Sequence, residues 1–222
     1  MPASKPRRSP TPDQRQRDPE RTRRLILDAA MTEFGLHGYA GARISAIATR
    51  AGVNQQLISY YFDGKQGLYE AVGQQWRERQ RELAPPGTPM SEQLRRYALE
   101  ALHNPDGTRL LAWSGLQYTG PADDPDQAPR TQALGASVEE LRARQQAGKI
   151  PADLDPACLL VMLMAAGMAT TTLPHVIEGL CDTDPRSPAF LEHFADQVGL
   201  LAKHLGVDGN AEGDGEGRVS AG

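Results

Sequence analysis

Residues 44–62 contain two short apolar stripes on either side of a tight turn, and this pattern constrains the fold more than any other stretch. Apolar residues recur at the three- and four-residue spacing of an amphipathic helix at Ile44, Ile47, Ala48 and Ala51, and again at Ile58 and Phe62. Between the stripes, residues 51–54 predict a tight turn that contains Gly52, with Asn54 as a plausible N-cap of the second helix. The sequence therefore predicts two short helices joined by a glycine-containing turn.

A longer amphipathic helix is expected immediately upstream of this pair. It begins near Pro19, which suits a first helical turn after Asp18, and it ends near Gly38, which suits a left-handed terminal position. Its apolar residues are Leu25, Ile26, Ala29, Ala30 and Phe34. Three helices within residues 19–65, the last two joined by a tight turn, are typical of a helix-turn-helix domain, whose second helix enters the major groove of DNA.

The distribution of charge favours the same interpretation. Residues 1–82 contain 14 Lys and Arg against 9 Asp and Glu, whereas residues 83–222 contain 10 against 19. A basic first third within a chain of net charge −4 indicates that this part faces a polyanion. Acidic proteins also have basic tails by chance, so charge alone does not decide between these two explanations.

The remainder of the chain predicts further helices and neither strands nor internal repeats. Helices are expected at about residues 66–83, 91–103, 105–118, 130–147, 156–173 and 188–205. Residues 1–18 are rich in Pro, Arg and Ser without an apolar anchor, which predicts a disordered basic arm, and residues 207–222 predict a flexible acidic tail. The predicted fold is all-α, with a DNA-binding domain at residues 19–65 and a helical C-terminal domain at residues 66–206.

Cysteine usage and hydropathy narrow the class of protein. Cys158 and Cys181 lack metal-ligand spacing and cannot build a disulfide framework, which favours a reducing cytoplasm. No apolar run follows the first basic residues, so no signal peptide is expected. The longest apolar stretch, residues 156–173, is shorter than the roughly 20 residues that usually span a membrane, so a buried helix is expected there.

An enzyme is the competing class, and the sequence offers little support for it. The five histidines have no metal-ligand spacing, and there is neither a glycine-rich phosphate loop nor a nucleophile elbow. No metal site, cofactor or catalytic residue is therefore expected. A second alternative is a ligand-independent architectural DNA-binding protein, which would show little preference among DNA sites.

Residues 26–72 resemble the DNA-binding domain of the tetracycline-repressor (TetR-like) family of transcriptional regulators. The matching landmarks are Ile26-Leu27, Ala29-Ala30, Phe34, Gly38-Tyr39, Ile47-Ala48, Ala51-Gly52-Val53, Tyr61-Phe62, Lys65 and Leu68. The resemblance implies a homodimeric repressor that binds double-stranded DNA at a palindromic operator and is released by a small-molecule inducer. It also implies that the helices near 156–173 and 188–205 form a dimeric four-helix bundle, which makes residues 66–206 a regulatory and dimerisation domain.

The residues themselves give some independent support for this dimer. Residues 157–169, ACLLVMLMAAGMA, are apolar on all sides of a helix, which is more than the core of one domain requires of a single helix. Small residues within that stretch allow a second helix to approach closely. A purely intramolecular core would also account for both helices, so the two alternatives stay open.

The DNA-contacting residues follow from the helical wheel and from the resemblance. With Ile58 and Phe62 turned inward, the wheel directs Gln55, Gln56, Ser59 and Tyr60 outward, and glutamine can bond bidentately to adenine. By resemblance, contacts with bases and phosphates are expected at Ser45, Gln55, Gln56, Leu57, Ser59, Tyr60, Tyr61 and Lys65. Arg43 stands near a position where the family commonly has a hydroxyl residue, and it would supply a charged phosphate contact instead. Tyr61 would otherwise serve mainly to pack against the first helix.

An apolar ligand pocket is expected in the C-terminal domain, because members of the resembled family usually sense a small molecule there. The candidate lining residues are Leu110, Trp113, Leu116, Tyr118, Met162, Met164, Met168 and His175. Interiors rich in methionine and flanked by aromatic residues form adaptable apolar pockets. The same stripe is also explained as ordinary hydrophobic core.

Overall fold

The computed structural model describes residues 12–85 and 87–208, and over these residues the chain is helical, without a strand. The helices are α1 (Pro12–Gly41), α2 (Ile44–Ala51), α3 (Gln55–Phe62), α4 (Gly64–Leu83), α5 (Met90–His103), α6 (Pro105–Leu116), α7 (Gln127–Gln146), α8 (Pro156–Thr172), α9 (Pro174–Cys181) and α10 (Pro188–His204). A 3₁₀ turn, Pro121–Asp123, lies between α6 and α7. The all-α prediction is confirmed for this part of the chain.

Helix α1 differs from its predicted extent at both ends. It begins at Pro12 instead of Pro19, so residues 12–18 are helical where the sequence predicts part of a disordered arm. Gln and Arg, which have favourable helix propensity, make up most of that segment, and this propensity outweighs the lack of apolar residues. Residues 1–11 lie outside the described part of the chain. Gly38 interrupts the helix with a φ of 67° and a ψ of 179°, and a short helical segment then continues to Gly41.

Helix starts in the C-terminal half follow the predicted cap-then-proline rule. The Asp155 carboxylate accepts a hydrogen bond from the Cys158 N–H at 2.8 Å, and the Ser187 hydroxyl accepts one from the Phe190 N–H at 3.3 Å. A proline occupies the first helical position after each cap, where its missing N–H removes no helical hydrogen bond. Asn104 precedes α6 in the same way, but its side chain makes no capping bond.

Helix α9 is an element that the sequence pattern does not predict. Pro174 ends α8 as expected, but the chain then continues as a short helix bent by 79° from α8. Over the described residues, no single helix is both long enough and apolar enough to cross a membrane. The pair of α8 and α9 reaches the required length and composition only together, across this bend.

The predicted flexible tail starts two residues too early. Val207 is fully buried in the hydrophobic core, and the Asp208 carboxylate accepts a hydrogen bond from the Ser91 N–H at 2.7 Å. These contacts hold the end of the chain against α5, because an apolar side chain at position 207 has a core to enter. Residues 209–222 lie outside the described range.

Two hydrophobic cores organise the described helices. The first lies among α1–α4 around Phe34, Ile47, Ile58 and Leu68, all of which are fully buried. The second lies among α5, α7, α8 and α10, where Leu141 is fully buried. Helix α3 is therefore held by the first core, while the long apolar helix α8 contributes to the second.

Helix α6 packs along α1 and so connects the two cores. Near its start, Asp106 lies so close to Gly35 that an added Cβ on the glycine would be 2.9 Å from the aspartate carbonyl oxygen. Just after its end, the side-chain oxygen of Gln117 accepts a hydrogen bond from the Ala40 N–H at 3.3 Å. The position of α1 is thus tied to α6 at both ends of the shorter helix.

Candidate nucleic-acid interface

The turn between α2 and α3 is fixed by backbone geometry and one side chain. Gly52 ends α2 in the left-handed conformation, with φ 67° and ψ 32°, and its N–H donates to the Thr49 carbonyl at 3.2 Å. Val53 then donates to the Ala48 carbonyl at 3.0 Å. The Asn54 side chain caps α3 by accepting a hydrogen bond from the Gln56 N–H at 2.9 Å. This turn sets the angle at which α3 leaves α2.

Helix α3 has one buried face and one exposed polar face. Ile58 and Phe62 are buried in the first core and hold the helix down. The side chains that lie exposed on the other side are Gln55, Gln56, Ser59 and Tyr60. Tyr60 is 79% exposed, which is unusual for a large aromatic side chain without a partner surface. These four side chains form a continuous surface, the α3 polar face, that is free to meet a ligand as large as DNA.

Leu57 and Tyr61 occupy the edges of this face. Both are half-buried and pack against the first core, so part of each side chain serves the fold. The ring of Tyr61 also contacts the ring of Tyr60 edge-to-face, with centroids 5.1 Å apart. Tyr61 therefore supports the orientation of Tyr60 as well as the packing of α3.

Arg43 and Ser45 lie at the start of α2. Arg43 is the N-cap residue, and its backbone N–H donates to the Glu33 carboxylate at 3.4 Å, while its own side chain is exposed. Ser45 is also exposed, and its carbonyl accepts a hydrogen bond from the Thr49 hydroxyl at 2.9 Å. The N-terminus of α2 adds a favourable potential for an anion beside the Arg43 guanidinium.

Lys65 lies near the start of α4 and is held by α1. Its ammonium donates to the Ala40 carbonyl at 3.3 Å and lies 4.9 Å from the centroid of the Tyr39 ring. Partial burial lowers the pKa of Lys65 from its ordinary value. An ammonium has three donors, so the bond to Ala40 leaves two of them for a phosphate oxygen.

Arg23 is a candidate DNA contact that sequence reasoning misses. Its exposed guanidinium lies 5.0 Å from the centroid of the Phe62 ring, at the C-terminal end of α3. The sequence did contain a signal for this placement. Arg23 lies one turn before Ile26, so the i, i+3 spacing puts it next to a residue that is buried in the same core as Phe62 of α3.

Two family models match the chain, the first ending within α4 and the second beginning within α5. Residues 26–72 match the model described as bacterial regulatory proteins of the tetR family, and residues 93–191 match the tetracyclin repressor-like C-terminal domain. The HTH-type transcriptional repressor SCO4008 of Streptomyces coelicolor is 34% identical over 165 residues, which are 72% of this chain and 83% of that protein. The chain belongs to the TetR family.

A second curated relative and a solved structure are also similar to this chain. The HTH-type transcriptional regulator RutR of Escherichia coli is 27% identical over 199 residues, or 85% of this chain and 92% of that protein. The crystal structure of the putative transcriptional regulator SCO4942 from Streptomyces coelicolor has a TM-score of 0.62 over 81% of this chain and 97% of its own, at 23% identity, which supports the fold. This TetR-family chain is a DNA-binding transcriptional regulator and not an enzyme.

The C-terminal domain of this TetR-family regulator contains two small cavities beside α4. The first, the α4–α7 cavity, has a volume of about 60 Å³ and is lined by Tyr69, Trp76 and Arg77 of α4, among others. The second, the α5–α8 cavity, also has a volume of about 60 Å³ and extends towards Leu94 and Tyr97 of α5. An open cleft between α6 and α8 lies beside the first cavity.

The structure brings only some of the predicted pocket residues to these cavities. Leu110 and Met164 line the α4–α7 cavity, and Met168 joins Met164 in the α5–α8 cavity. Trp113 and Leu116 line the open cleft instead.

Three predicted pocket residues, Tyr118, Met162 and His175, line neither cavity and are exposed. Tyr118 follows the end of α6, Met162 lies on the outer side of α8, and His175 lies beyond the bend into α9. The sequence pattern placed Tyr118 and Met162 on apolar helical stripes and offered His175 as a polar group at the edge of the pocket. The end of α6 before Tyr118 and the bend before His175 exclude two of them, and Met162 lies on the exposed side of α8.

A cluster of ion pairs forms one wall of the α4–α7 cavity. Arg77 of α4 pairs with Asp126, and Arg130 of α7 pairs with Asp124. Arg130 also approaches the second carboxylate oxygen of Asp126 at 3.8 Å. These residues, together with the neighbouring Tyr69, were not predicted from the sequence. Burial, followed by the negative charges of Asp124 and Asp126, raises the pKa of Tyr69 to about 12, so its phenol stays protonated.

Helices α8, α9 and α10 leave large apolar side chains exposed. They are Val161 and Met162 of α8, Val176 and Leu180 of α9, and Leu200 and Leu201 of α10. Part of the apolar surface of α8 is therefore not used by the core of this chain.

Proposed function

We propose that this TetR-family regulator is a cytoplasmic homodimeric repressor that reads a palindromic operator with the α3 polar face and leaves it when a small apolar ligand binds. The observation that carries the proposal is the division of α3 into a buried apolar face and an exposed polar face without charge. Folding does not require Gln55, Gln56, Ser59 or Tyr60, because none of them enters the core. Their amide and hydroxyl groups match the donors and acceptors on base edges in the major groove.

Phosphate contacts would fix the register of α3 on the duplex. Arg43, Ser45 and Lys65 lie at the starts of α2 and α4, so their side chains approach the backbone on either side of the groove that α3 enters. Such contacts position a protein without reading sequence, whereas the contacts of the α3 polar face with bases carry the specificity. The two groups of residues should therefore respond differently to mutation.

Dimerisation is supported by the exposed apolar surface of α8 and α10. A monomer would keep the large apolar side chains of Val161, Met162, Leu200 and Leu201 exposed to water. A second copy related by a two-fold axis would cover this surface and present two α3 helices to one face of DNA. A palindromic operator follows from that symmetry.

The test compares three variants with the parent protein in DNA-binding titrations. Gln55→Ala and Tyr60→Ala should each remove roughly 1–3 kcal/mol of specific binding per half-site while leaving nonspecific affinity unchanged. Arg43→Ala should weaken binding to all sequences and reduce the slope of log K against log salt. Gln74→Ala changes an exposed glutamine of α4 whose side-chain amide donates to the Glu78 carboxylate; it is the matched control and should change neither quantity.

Equal operator affinity for Gln55→Ala, Tyr60→Ala and the control would contradict the assignment of base reading to α3. Circular dichroism and sedimentation on the same samples would show that each variant is folded and has the parent's oligomeric state. A loss of affinity that is uniform across specific and nonspecific DNA would place Gln55 or Tyr60 among the phosphate contacts instead.

A further inference from the structure

The two cavities beside α4 define the chemistry of the ligand, and this inference rests on the proposed release from DNA by a small molecule. They share the side chains of Trp76, Gln80, Leu111 and Met164, so they are neighbours separated by one layer of side chains. Each has a volume of about 60 Å³, well below the roughly 150 Å³ of an engineered cavity that binds benzene. A ligand with a ring must therefore occupy both cavities at once.

Met164 is the side chain whose movement would join the cavities. Methionine has three rotatable bonds and adapts to irregular spaces, so a change of rotamer at Met164 opens the passage and adds its own vacated volume. Met164 and Leu111 also line the open cleft, which provides a route from solvent. Trp76, by contrast, is fixed, since its ring packs directly against Gly107 of α6. The joined site thus has a rigid aromatic wall and one adaptable side chain.

The polar end of the joined site has no net formal charge. Two guanidinium groups, Arg77 and Arg130, face two carboxylates, Asp126 and Asp124, and each is already paired. The four side chains are mostly shielded from water, with exposed fractions between 9% and 25%. Removing one partner from such a shielded pair is strongly unfavourable, because the remaining charge is left without compensation.

We infer that the ligand is a neutral molecule with an aromatic or aliphatic body and one hydroxyl- or amide-type group that hydrogen bonds to Asp126 or Arg77. A carboxylate has about four acceptor positions and a guanidinium has five donors, so both residues can bond to a neutral group while their ion pair stays intact. An anionic ligand would compete with Asp126 for Arg77, and a cationic ligand would compete with Arg77 for Asp126. Either competition leaves a shielded charge unpaired.

Three probes with the same two-ring body test the sign of the ligand's charge: 1-naphthalenemethanol, 1-naphthylmethylammonium and 1-naphthoate. Their binding to the full-length protein is measured by isothermal titration calorimetry at neutral pH. The alcohol should bind at least about 100-fold more tightly than either ion, since only the ions must break a shielded pair. Equal or tighter binding of the ammonium or of the carboxylate overturns the inference, as does failure of all three probes to bind.

Two variants locate the polar end and the apolar body. Asp126→Asn leaves Arg77 without its carboxylate, so the preference should move from the alcohol to 1-naphthoate. Met164→Trp fills the passage between the cavities and should abolish binding of the alcohol. Leu25→Trp adds the same side chain on α1, at a site that is 42% exposed and lines neither the two cavities nor the open cleft, and it should leave binding unchanged. Unfolding curves confirm that each variant is folded.

Selectivity that is unchanged in Asp126→Asn, or alcohol binding that survives Met164→Trp, would overturn the assignment of the site. DNA binding in the absence of any probe is measured in parallel. A protein that binds DNA specifically but prefers a charged probe contradicts this inference alone. A protein without sequence-specific DNA binding contradicts the proposed function, whatever the probes do.

Discussion

Gly38 offers a quantitative test of how the DNA-binding helices are fixed to the rest of the molecule. It interrupts α1 with a φ of 67° and a ψ of 179°, a conformation that is essentially restricted to glycine. An added Cβ would lie 2.6 Å from the side-chain amide of Gln117, which follows α6. Gly38→Ala therefore perturbs both the backbone and the connection between α1 and α6.

The expected cost has two parts. Forcing a non-glycine residue into this conformation costs about 1–3 kcal/mol. Displacing the Gln117 side chain breaks its 3.3 Å hydrogen bond with the Ala40 N–H, which contributes about 0.5–1.5 kcal/mol. Gly38→Ala should thus reduce the free energy of unfolding by about 2–4 kcal/mol. The natural comparison is Gly52→Ala, because Gly52 also has a φ of 67° but no atom lies within 4 Å of an added Cβ. Gly52→Ala should therefore reduce the free energy of unfolding by only about 1–2 kcal/mol, the cost of the left-handed backbone alone.

Urea unfolding at fixed protein concentration measures these differences, since an oligomer's stability depends on concentration. Gln117→Ala supplies the second side of a double-mutant cycle. In that background the cost of Gly38→Ala should fall to the backbone part, which gives a coupling of about 0.5–1.5 kcal/mol. The reasoning is refuted if Gly38→Ala costs no more than Gly52→Ala, or if its cost is the same with and without Gln117.

Three further predictions concern the dimer surface, a buried ion pair and a helix cap. Leu201→Glu, at a side chain 49% exposed on α10, places a charge in the proposed dimer surface and should give monomers in sedimentation equilibrium. Leu116→Glu on α6 should leave the dimer intact. A dimer that survives Leu201→Glu would contradict the assignment of α10 to the dimer interface. Arg79→Leu should lower the free energy of unfolding in urea by about 2–3 kcal/mol, because it leaves the Glu100 carboxylate (2% exposed) without its ion-pair partner. The figure allows for partial screening by solvent, since the Arg79 side chain is 43% exposed. The additional change Glu100→Leu should restore most of the lost stability. The hydrogen bond from the α8 backbone lowers the pKa of Asp155 below its ordinary 3.8. The ionised Asp155 cap therefore stabilises the fold fully above pH 3.8, and this stabilisation is lost as the pH falls through the folded pKa. Asp155→Asn should remove that part of the acid dependence of the free energy of unfolding, and an unchanged dependence on pH would contradict the prediction.

The sequence predicts the α2–α3 unit well because local signals define it. Apolar spacing, Gly52 and the Asn54 cap are all encoded within residues 44–62, and the observed helices Ile44–Ala51 and Gln55–Phe62 match them. The outward direction of Gln55 follows from the same spacing. A structural feature that depends only on residues close together in the sequence can therefore be predicted from the spacing of apolar, turn and capping residues.

Long-range contacts account for most of what the sequence does not predict. The contact of Lys65 with the Ala40 carbonyl depends on how α4 returns to α1, and no local pattern encodes it. The pairing of Arg77 with Asp126 joins residues separated by 49 positions, and each alone looks like an ordinary surface charge. The polar wall of the α4–α7 cavity is therefore visible only after folding. Sequence spacing likewise offers no means of separating a lining methionine such as Met164 from the exposed Met162.

The division of α3 into a buried face and a base-reading face is tested most directly by selecting bound DNA from a random-sequence pool. The parent protein should enrich a palindrome of two half-sites with centres about one helical turn, or a multiple of it, apart. Gln55→Ala should lose the preference at one position of each half-site while keeping their spacing. A pool without an enriched motif, or the same motif for the parent and for Gln55→Ala, would contradict the role given to α3.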